Sequence, residues 1–450
     1  MKTSLTEIQT WISGSQVRGE AVFDGISTDS RTVGKGQLFV ALRGDNFDAH
    51  DFLLDVTAKG VAAVVAERLP ADFSLPAIVV KDSRLALGEI ARNWRSGFDL
   101  PVIGVTGSNG KTTVKEMIAA ILRMAYGGRF LATAGNLNND IGVPQTLFRL
   151  DSSHRAAVIE LGMSHPGEIA YLSAIVKPMV GLVNNAQREH QEFMINVEAV
   201  AQENGSVIRA LPSDGVAVFP FGDAFSGLWE AYALETGARR IMTFGFEEGA
   251  SVKGQYDPGR SRLDIHVGET AVAVQLNVIG EHNAHNALAV AACCHAIGIG
   301  SDVIAQGLES FQPVNGRLQR KIAANGANLI DDTYNANPDS VLAAIDVLVR
   351  MPSPRVLVLG DMGEVGSEGA RFHEEVGIYA REKGVDYFFV LGELVRHAVR
   401  AYGASARHFE DVAGLMVTLR EVALPSATIL VKGSRFMKME RVVSDLIEKE

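Results

Sequence analysis

The sequence predicts an α/β protein built from three domains. Its 450 residues exceed what one hydrophobic core normally organises. A short, mostly β-branched run, Val102–Val105, is followed by a glycine-rich turn and then by apolar residues at helical spacing from Val114 to Leu122. After Asn328, apolar runs alternate regularly with helical patterns, which is typical of a parallel sheet covered by helices on both faces.

The domain boundaries follow from changes in this pattern. Residues 1–98 mix short apolar runs with helical stretches, which predicts a small α/β module. The pattern changes at Leu100–Pro101, and Pro313–Gly316 is typical of a turn. We therefore expect domains near residues 1–98, 99–312 and 313–450, the last a Rossmann-like, doubly wound sheet. The predicted strands are Gln37–Leu42, Val61–Val65, Ala77–Val80, Val102–Val105, Ala157–Ile159, Val180–Val183, Val216–Phe219, Leu263–Val267, Val272–Val278, Asn328–Ile330, Val356–Leu359, Phe388–Leu391, Arg407–Phe409 and Ile429–Val431.

Composition and charge exclude several classes of protein. Hydrophobic residues make up 47% of the chain and charged residues 21%, the balance of a folded globular protein. The net charge of −11, without a basic stripe, makes nucleic acid and anionic membranes poor partners. No stretch approaches the ~18 apolar residues of a membrane span, and residues 1–20 lack the apolar core of a signal peptide. The adjacent Cys293 and Cys294 are expected to be reduced and buried, since neighbouring cysteines rarely bridge. We therefore expect a cytoplasmic monomer.

The most specific motif is the turn that follows Val102–Val105. It reads Gly-Val-Thr-Gly-Ser-Asn-Gly-Lys-Thr-Thr, and its first and third glycines, Gly104 and Gly110, are separated by five residues rather than the usual four. Such a loop turns backbone N–H groups toward phosphates, and the N-terminus of the next helix adds positive potential. Lys111 is expected to reach the β- and γ-phosphates and the Thr112 hydroxyl to join a Mg²⁺ shell. The central domain is thus predicted to bind ATP through Thr106, Gly107, Ser108, Asn109, Gly110, Lys111, Thr112 and Thr113.

The amino-acid sequence of this loop resembles that of the corresponding loop in the Mur ligases and the related folylpolyglutamate synthetases. Four further stretches strengthen the resemblance: a second loop, a carboxylate at a strand end, a histidine segment that binds metal, and an adenine-binding turn. They are Gly135–Pro144, Val158–Gly162 with Glu160, Asn185 to His190, and Gly280–Ala287 with Asn283. Taken alone, His190 is also typical of a surface histidine, and Asn283 of a helix N-cap.

The resemblance assigns roles to individual residues. Lys111, Glu160 and His190 are implied to be catalytic. Two Mg²⁺ ions are implied, one near Thr112 and Glu160 and the other near Glu160 and His190. From the third domain, Arg317 and Asp332 are implied to hold ATP together with Asn283, which contacts the base. Because these residues belong to two domains, the site is expected to be complete only when the third domain swings in.

The two ends of the chain resemble one branch of the family. The segments around Ser27–Arg31 and Gly36–Leu42 resemble a uridine-nucleotide module, and Asp331–Ser340 and Leu359–Glu364 resemble the C-terminal domain of the member that adds D-alanyl-D-alanine. The residues implied to bind the UDP-linked substrate are Ser27, Asp29, Ser30, Arg31, Asn138 and Asn139. Those implied on the D-alanyl-D-alanine side are Tyr334, Asn335, Asn337, Lys432 and Ser434.

The resemblance implies an ATP-dependent amide ligase of bacterial peptidoglycan precursor synthesis. Such an enzyme would transfer the γ-phosphoryl group of ATP to the terminal carboxylate of a UDP-linked muramoyl tripeptide. The amine of D-alanyl-D-alanine would then attack the acyl phosphate. Both steps gather anionic oxygens, so catalysis is expected to rest on positioning and on cationic neutralisation.

One position departs from the family pattern. Many Mur ligases carry, some fourteen residues after the metal histidine, a carbamoylated lysine that supplies a carboxylate to the second metal. Asn204 stands at that position, and no lysine occurs between Lys177 and Lys253. No carbamoyl-lysine is therefore expected from this segment. The sequence leaves open whether Glu203 supplies the missing oxygen or the second ion is held more loosely.

Two alternatives remain at this stage. One is another Mur ligase or a folylpolyglutamate synthetase-like ligase, although the folate enzyme lacks a uridine-nucleotide module ahead of its loop. The other is a P-loop ATPase that acts as a switch or motor. The switch would be expected to carry an aspartate where the strand after the loop ends in Glu160.

Overall fold

The computed structural model describes residues 1–44, 46–237 and 239–447. It is a mixed α/β structure with three domains, each built around one sheet, so the predicted fold class is confirmed. The boundaries near residues 98 and 312 stay a prediction. Across the described ranges the helices are all too short or too polar to cross a membrane.

The first domain surrounds a five-stranded sheet. Its strands are β1 Lys2–Ser4, β2 Gln16–Arg18, β3 Val22–Asp24, β4 Ile26–Ser27, β5 Leu38–Val40, β6 Ala63–Ala66 and β7 Ala77–Val79, and its helices are α1 Leu5–Gln9, α2 Leu53–Ala58 and α3 Ser83–Ser96. The sheet has the order β2-β7-β6-β5-β4, with β2 antiparallel, while β1 pairs with β3 separately. The Asp82 carboxylate accepts hydrogen bonds from the amides of Arg84 and Leu85, which fixes the start of α3.

The second domain contains a nine-stranded sheet. Its strands are β8 Val102–Thr106, β9 Phe130–Ala132, β10 Ala156–Glu160, β11 Val180–Val183, β12 Val216–Pro220, β13 Arg240–Gly245, β14 Val252–Asp257, β15 Arg262–Val267 and β16 Thr270–Gln275, and its helices are α4 Lys111–Tyr126, α5 Gly142–Leu147, α6 Glu168–Val176, α7 Val197–Arg209, α8 Ser226–Leu234, α9 Glu281–Ala296 and α10 Ser301–Ser310. The sheet order is β16-β15-β14-β13-β12-β11-β8-β10-β9.

The position of β8 in this sheet determines where a ligand can bind. It lies between β10 and β11, and all three strands run parallel. Their carboxyl ends therefore meet at one edge, where the strand order reverses, and ligands of open α/β sheets bind at such a point. The predicted apolar face of α4 is buried on this sheet and consists of Val114, Met117, Ile118, Ile121 and Leu122.

The third domain is the predicted doubly wound sheet. Its strands are β17 Gln319–Ile322, β18 Asn328–Asp332, β19 Arg355–Gly360, β20 Tyr387–Leu391, β21 Ala406–Phe409 and β22 Thr428–Lys432, and its helices are α11 Pro338–Leu348, α12 Gly369–Glu382, α13 Arg396–Tyr402, α14 Val412–Val422 and α15 Glu440–Ile447. The order is β17-β18-β22-β19-β20-β21, and only the edge strand β17 is antiparallel in the described sheet. Separate apolar clusters pack on its two faces.

The predicted strands are all present, with ends displaced by a few residues. The sequence did not predict β1 to β4, β9, β13, β14 or β17. Most of these are edge strands or segments of two to three residues. Cys293 and Cys294 are free and buried on α9, as predicted.

Candidate active site

The phosphate-binding loop joins β8 to α4 at the parallel edge. Gly107 and Gly110 have φ values of 130° and 85°, which favour glycine. A Cβ atom on Gly107 would lie 2.9 Å from the Cβ of Asn184, so the position has no space for a side chain. The loop therefore depends on these two glycines, and α4 begins directly after it at Lys111.

The Lys111 side chain folds back from the start of α4 into this loop. Its Nζ donates to the Gly107 carbonyl at 2.5 Å and to the Ser108 carbonyl at 3.2 Å. It also lies 3.2 Å from the Glu189 carboxylate. The ammonium group is thus held where the loop would surround a phosphate, and Lys111 is the loop's side-chain cation.

Glu160 ends β10, next to the phosphate loop. It is 1% exposed, and its Oε1 accepts hydrogen bonds from Asn138 Nδ2 at 2.8 Å and from the Thr112 hydroxyl at 3.2 Å. Within the described structure its Oε2 is buried without a hydrogen-bond partner. A buried, unpartnered carboxylate oxygen is costly, so this atom is suited to a cation.

A chain of asparagines connects the turn at Gly280–Ala287, which was predicted to bind adenine, with the phosphate loop. Asn286 donates to Asn283 at 3.2 Å, and Asn184 donates to Asn286 at 2.9 Å. Asn184 also donates to the Asn109 carbonyl at 2.8 Å. Asn283 lies in the first turn of α9 and donates to the Ile279 carbonyl, while Gly280 occupies the N-cap. Asn283 is therefore not the helix cap that its residue type also allowed.

The segment after β11 carries His190 into the same site. His190 has a φ of 50°, and its Nδ1 lies 2.5 Å from Glu364 Oε2 of the third domain. The hydrogen bond with His190 lowers the pKa of the Glu364 carboxyl. Three residues on, the Phe193 ring contacts His165, with ring centroids 4.6 Å apart. His190 is thus held in a strained backbone conformation at the domain boundary.

Third-domain residues complete this side of the site. Arg317 donates to the Thr112 hydroxyl at 2.9 Å and stacks over the Tyr334 ring at 4.2 Å. Asp332 accepts from Lys432 at 2.7 Å and from the Leu318 amide at 3.1 Å. Lys432 also donates to the Asn335 carbonyl at 2.9 Å, which fixes the turn before α11. In this structure the third domain therefore already contacts the phosphate loop.

These groups surround one cleft of about 940 Å³ between the second and third domains. Its lining includes the predicted residues Ser108, Asn109, Gly110, Lys111, Thr112, Thr113, Asn138, Asn139, Glu160, His190, Asn283, Arg317, Asp332, Tyr334, Asn335, Asn337 and Lys432. Thr106 and Gly107 do not line the cleft. Ser434 likewise does not line the cleft. Its hydroxyl accepts from the Gly363 amide at 2.6 Å and donates to the Ala336 carbonyl at 3.1 Å.

The structure does not bring the first-domain residues predicted to bind the UDP-linked substrate into this cleft. Ser27, Asp29, Ser30 and Arg31 lie on the first domain, where Arg31 forms a bidentate pair with Asp29. That pairing lowers the pKa of Asp29 to about 2. The neighbouring Thr28 accepts from Gln145 at 2.7 Å, and Arg84 pairs with Asp140 at 3.0 Å. The first domain is thus attached to the second loop, beside the cleft.

The idea that Glu203 supplies a metal ligand is wrong for this structure. Its carboxylate accepts from the Gly167 amide at 2.9 Å and the Ile169 amide at 2.7 Å, so it caps the start of α6. Asn204 points to a different side of α7 and accepts from the Gly107 amide at 3.0 Å. Neighbouring positions of a helix point about 100° apart, so Glu203 and Asn204 cannot face the same site.

Several side chains of the site were missed from the sequence. Asn184, Asn286 and Glu189 are buried in it, and Arg188 pairs with Asp339 at 2.6 Å and Glu375 at 2.7 Å across the domain boundary. Asn286 lies in the Gly280–Ala287 stretch and Glu189 in the stretch from Asn185 to His190, but neither was given a role; Asn184 lies directly before that second stretch. For Arg188 and Glu189 the available signal was their position directly before His190.

A phosphate loop with a buried carboxylate and a histidine, closed by a second α/β domain, defines an ATP-using enzyme. The chain belongs to the Mur ligase family. Three family profiles match it: "Mur ligase family, catalytic domain" over residues 22–95, "Mur ligase middle domain" over 105–294, and "Mur ligase, glutamate ligase domain" over 316–435.

Individual relatives are similar over the full length of the chain. The UDP-N-acetylmuramoyl-tripeptide--D-alanyl-D-alanine ligase of Escherichia coli (strain K12) is 38% identical, over 100% of this chain and 99% of its own. A crystal structure of MurF from Acinetobacter baumannii has a TM-score of 0.93 at 35% identity, covering 100% and 99% of the two chains. MurF ligase from Thermotoga maritima, solved in complex with ADP, has a TM-score of 0.84 at 27% identity, covering 93% and 96%.

Proposed function

We propose that this protein is an ATP-dependent ligase that joins D-alanyl-D-alanine to UDP-N-acetylmuramoyl-tripeptide in peptidoglycan precursor synthesis. The observation that carries the proposal is that Lys111, Glu160 and Arg317 meet at one cleft although they come from two domains. Relatives that match the whole chain bear the name of this activity.

The chemistry requires an activated carboxylate, since a carboxylate and an amine do not condense in water unaided. In the proposed reaction the terminal carboxylate oxygen of the tripeptide attacks the γ-phosphorus of ATP, and ADP leaves. The amine of D-alanyl-D-alanine then attacks the acyl carbon, and phosphate departs with the carboxylate oxygen. Lys111 and Arg317 supply the positive charge that both steps need, Lys111 from within the loop and Arg317 from the opposite wall.

The residues present fit the proposed magnesium requirement. The hard oxygens of Thr112 and Glu160 lie 3.2 Å apart, and Glu160 Oε2 has no partner among the described residues. His190 lines the same cleft. We propose that Thr112 and Glu160 hold one Mg²⁺ and Glu160 and His190 a second. When bound, these ions neutralise phosphate charge. The described residues contain no cluster of three or more His, Cys, Asp or Glu that could hold a metal, so water and phosphate oxygens must complete each shell.

The substrate ends are assigned by position in the cleft. Asn283 and the turn at Gly280 mark the adenine end, and Arg317 and Asp332 close on the nucleotide. Tyr334, Asn335, Asn337 and Lys432 form the third-domain wall where D-alanyl-D-alanine would bind. Ser27–Arg31 on the first domain remain the proposed contacts of the uridine nucleotide, with Asn138 and Asn139 nearer the phosphate loop. Since one chain supplies all these groups, we propose that the protein is a monomer. We also propose that it works in the cytoplasm.

An isotope experiment tests the acyl-phosphate route. The tripeptide substrate is labelled with ¹⁸O in its terminal carboxylate and incubated with ATP, Mg²⁺ and D-alanyl-D-alanine. One labelled oxygen should appear in each phosphate released, because the carboxylate oxygen leaves with the phosphorus. Unlabelled phosphate from a reaction that forms the amide would overturn the route.

A folylpolyglutamate synthetase-like activity remains the second candidate within ligases. A Mycobacterium tuberculosis folylpolyglutamate synthase complexed with ADP has a TM-score of 0.65 at 16% identity, and this likeness concerns the fold alone. The described sheet β2-β7-β6-β5-β4 ahead of the phosphate loop favours the nucleotide-sugar substrate.

A further inference from the structure

Beyond Glu160, the second proposed cation lacks an obvious carboxylate ligand in this chain. Asn204 occupies the position of the family's carbamoylated lysine and is bound to the phosphate loop through the Gly107 amide. Glu203 is bound to two amides at the start of α6. Neither side chain is therefore available for a metal.

Glu189 is the carboxylate that the structure brings there instead. It is 7% exposed, lines the cleft, and precedes His190 directly. Its Oε2 lies 3.2 Å from Lys111 Nζ and 3.8 Å from His190 Nε2. Its Oε1 is buried without a hydrogen-bond partner in the part of the chain that the structure describes.

A buried carboxylate with one unpartnered oxygen is unfavourable unless a further positive charge binds it. A buried carboxylate is normally saturated by hydrogen bonds or paired with cations. Lys111 and the imidazole implied to bind metal both approach Oε2 of Glu189, and Oε1 is left bare. A hard divalent cation prefers the carboxylate oxygen and keeps its remaining sites for water and phosphate.

We propose that Glu189 is a second protein carboxylate, beside Glu160, for the second divalent cation and takes the place of the missing carbamoyl-lysine. Among the described residues these groups do not form a closed metal cluster without the cation, so its binding would draw them together. It would act together with His190, and the inference rests on the proposed ligase function. The residue comes from the loop after β11 rather than from α7, so the ligand set is rebuilt from a different element on the same side of the phosphate loop.

A purely positioning role for Glu189 predicts a different outcome. If Glu189 served only to hold Lys111, its loss would weaken nucleotide binding with or without metal and leave the number of bound cations unchanged. A ligand role predicts loss of one cation while the nucleotide still binds to the phosphate loop.

The test is a Mn²⁺ titration of the full chain, followed by electron paramagnetic resonance, in the presence of a non-hydrolysable ATP analogue. The native protein should bind two Mn²⁺ ions. Glu189→Gln should lose the second ion or bind it at least about tenfold more weakly, since a charged ligand is gone. Glu189→Asp, which keeps the charge, should retain the ion with intermediate affinity and guards against a folding defect in the amide variant.

Glu192→Gln is the matched control, because Glu192 lies three residues on in the same segment, is exposed and does not line the cleft. It should bind both ions like the native protein. Two Mn²⁺ ions of native affinity in Glu189→Gln would overturn the proposal, as would weakened nucleotide binding with both ions kept. Ligation by the native protein is measured in parallel, so absence of ligation would count against the proposed function and not against the metal ligand.

Discussion

Asn109 of the phosphate loop and Asn337 of the third domain hydrogen-bond each other reciprocally. Asn337 Nδ2 donates to Asn109 Oδ1 at 2.9 Å, and Asn109 Nδ2 donates to Asn337 Oδ1 at 3.3 Å. Asn337 also caps α11, which begins at Pro338. The phosphate loop is therefore coupled directly to the first turn of a third-domain helix, so the domains can respond together to a nucleotide.

Arg188 makes two ion pairs across this boundary. Its guanidinium pairs with Asp339 and Glu375 and lies 5.3 Å from the Phe372 ring centroid. Burial opposes its charge, but the two carboxylates raise the pKa of Arg188 above its usual value. We predict that Arg188→Met moves the second and third domains apart, because two partly buried ion pairs between them are lost together.

Small-angle scattering checks this prediction through the radius of gyration. Arg188→Met should be larger than the native protein, and nucleotide with the UDP-linked substrate should restore much of the compaction. Arg209→Met is the control, since Arg209 pairs with Glu235 within the second domain. An unchanged radius in Arg188→Met would show that the other contacts suffice to hold the domains.

Lys111 is expected to be indispensable for the chemical step. Lys111→Ala removes the side-chain cation of the phosphate loop and should cost at least ~3 kcal/mol of transition-state stabilisation, or roughly 10²-fold in kcat/KM. Lys253→Ala, at a partly exposed pair with Glu248 in the same domain, should leave the rate unchanged. Ligation by Lys111→Ala at a near-native rate would refute the proposed position of the γ-phosphate.

The enzyme should not depend on dissolved CO₂. Carbamoyl-lysine forms reversibly from CO₂, but Asn204 cannot carry a carbamate and is bound to Gly107. We predict full ligation activity in CO₂-depleted buffer and no stimulation by added bicarbonate. A rate that rises with bicarbonate would mean that a lysine from elsewhere in the chain takes this role.

Acid should destabilise the protein partly through His282. Desolvation lowers its pKa from 6.5 to about 4, while Asp332 opposes this shift. The folded state thus favours the neutral His282 ring. The contribution of this neutral ring to the free energy of unfolding is complete above pH 6.5 and is lost as the pH falls toward 4. The melting temperature should therefore drop less between pH 7 and pH 5 in His282→Gln than in the native protein. His165→Gln, with a largely exposed ring, should show the native drop, and an equal drop in His282→Gln would refute the assignment.

The sequence predicted those strands and helices that are deeply buried, because burial makes their composition strongly apolar. The run Val102–Val105 and the spaced apolar residues of α4 are buried on both sides of the phosphate loop, so their pattern is strong. Edge strands such as β9 and β17 have only one strand neighbour in the described sheets, and their short or polar sequences resemble loops. They were missed for that reason.

Site residues that belong to a sequence motif could be predicted from the sequence. Site residues that are brought together by tertiary packing could not. Lys111, Glu160 and His190 were found because their loops have characteristic spellings. The contact of Asn204 with Gly107 joins residues 97 positions apart, and depends on how α7 packs beside β8. Glu189 carries no periodic signal, since it lies in a loop. The different directions of Glu203 and Asn204, however, follow from helix geometry and could have been deduced.

The measurement that tests the central claim most directly is mass analysis of the reaction product. The protein is incubated with ATP, Mg²⁺, D-alanyl-D-alanine and UDP-N-acetylmuramoyl-tripeptide ending in either lysine or diaminopimelate, and in parallel with a folate and glutamate. We predict that one UDP-linked tripeptide gains the mass of D-alanyl-D-alanine less one water, with one ADP and one phosphate formed per product. No product with either tripeptide, or ligation of glutamate to the folate instead, would contradict the account.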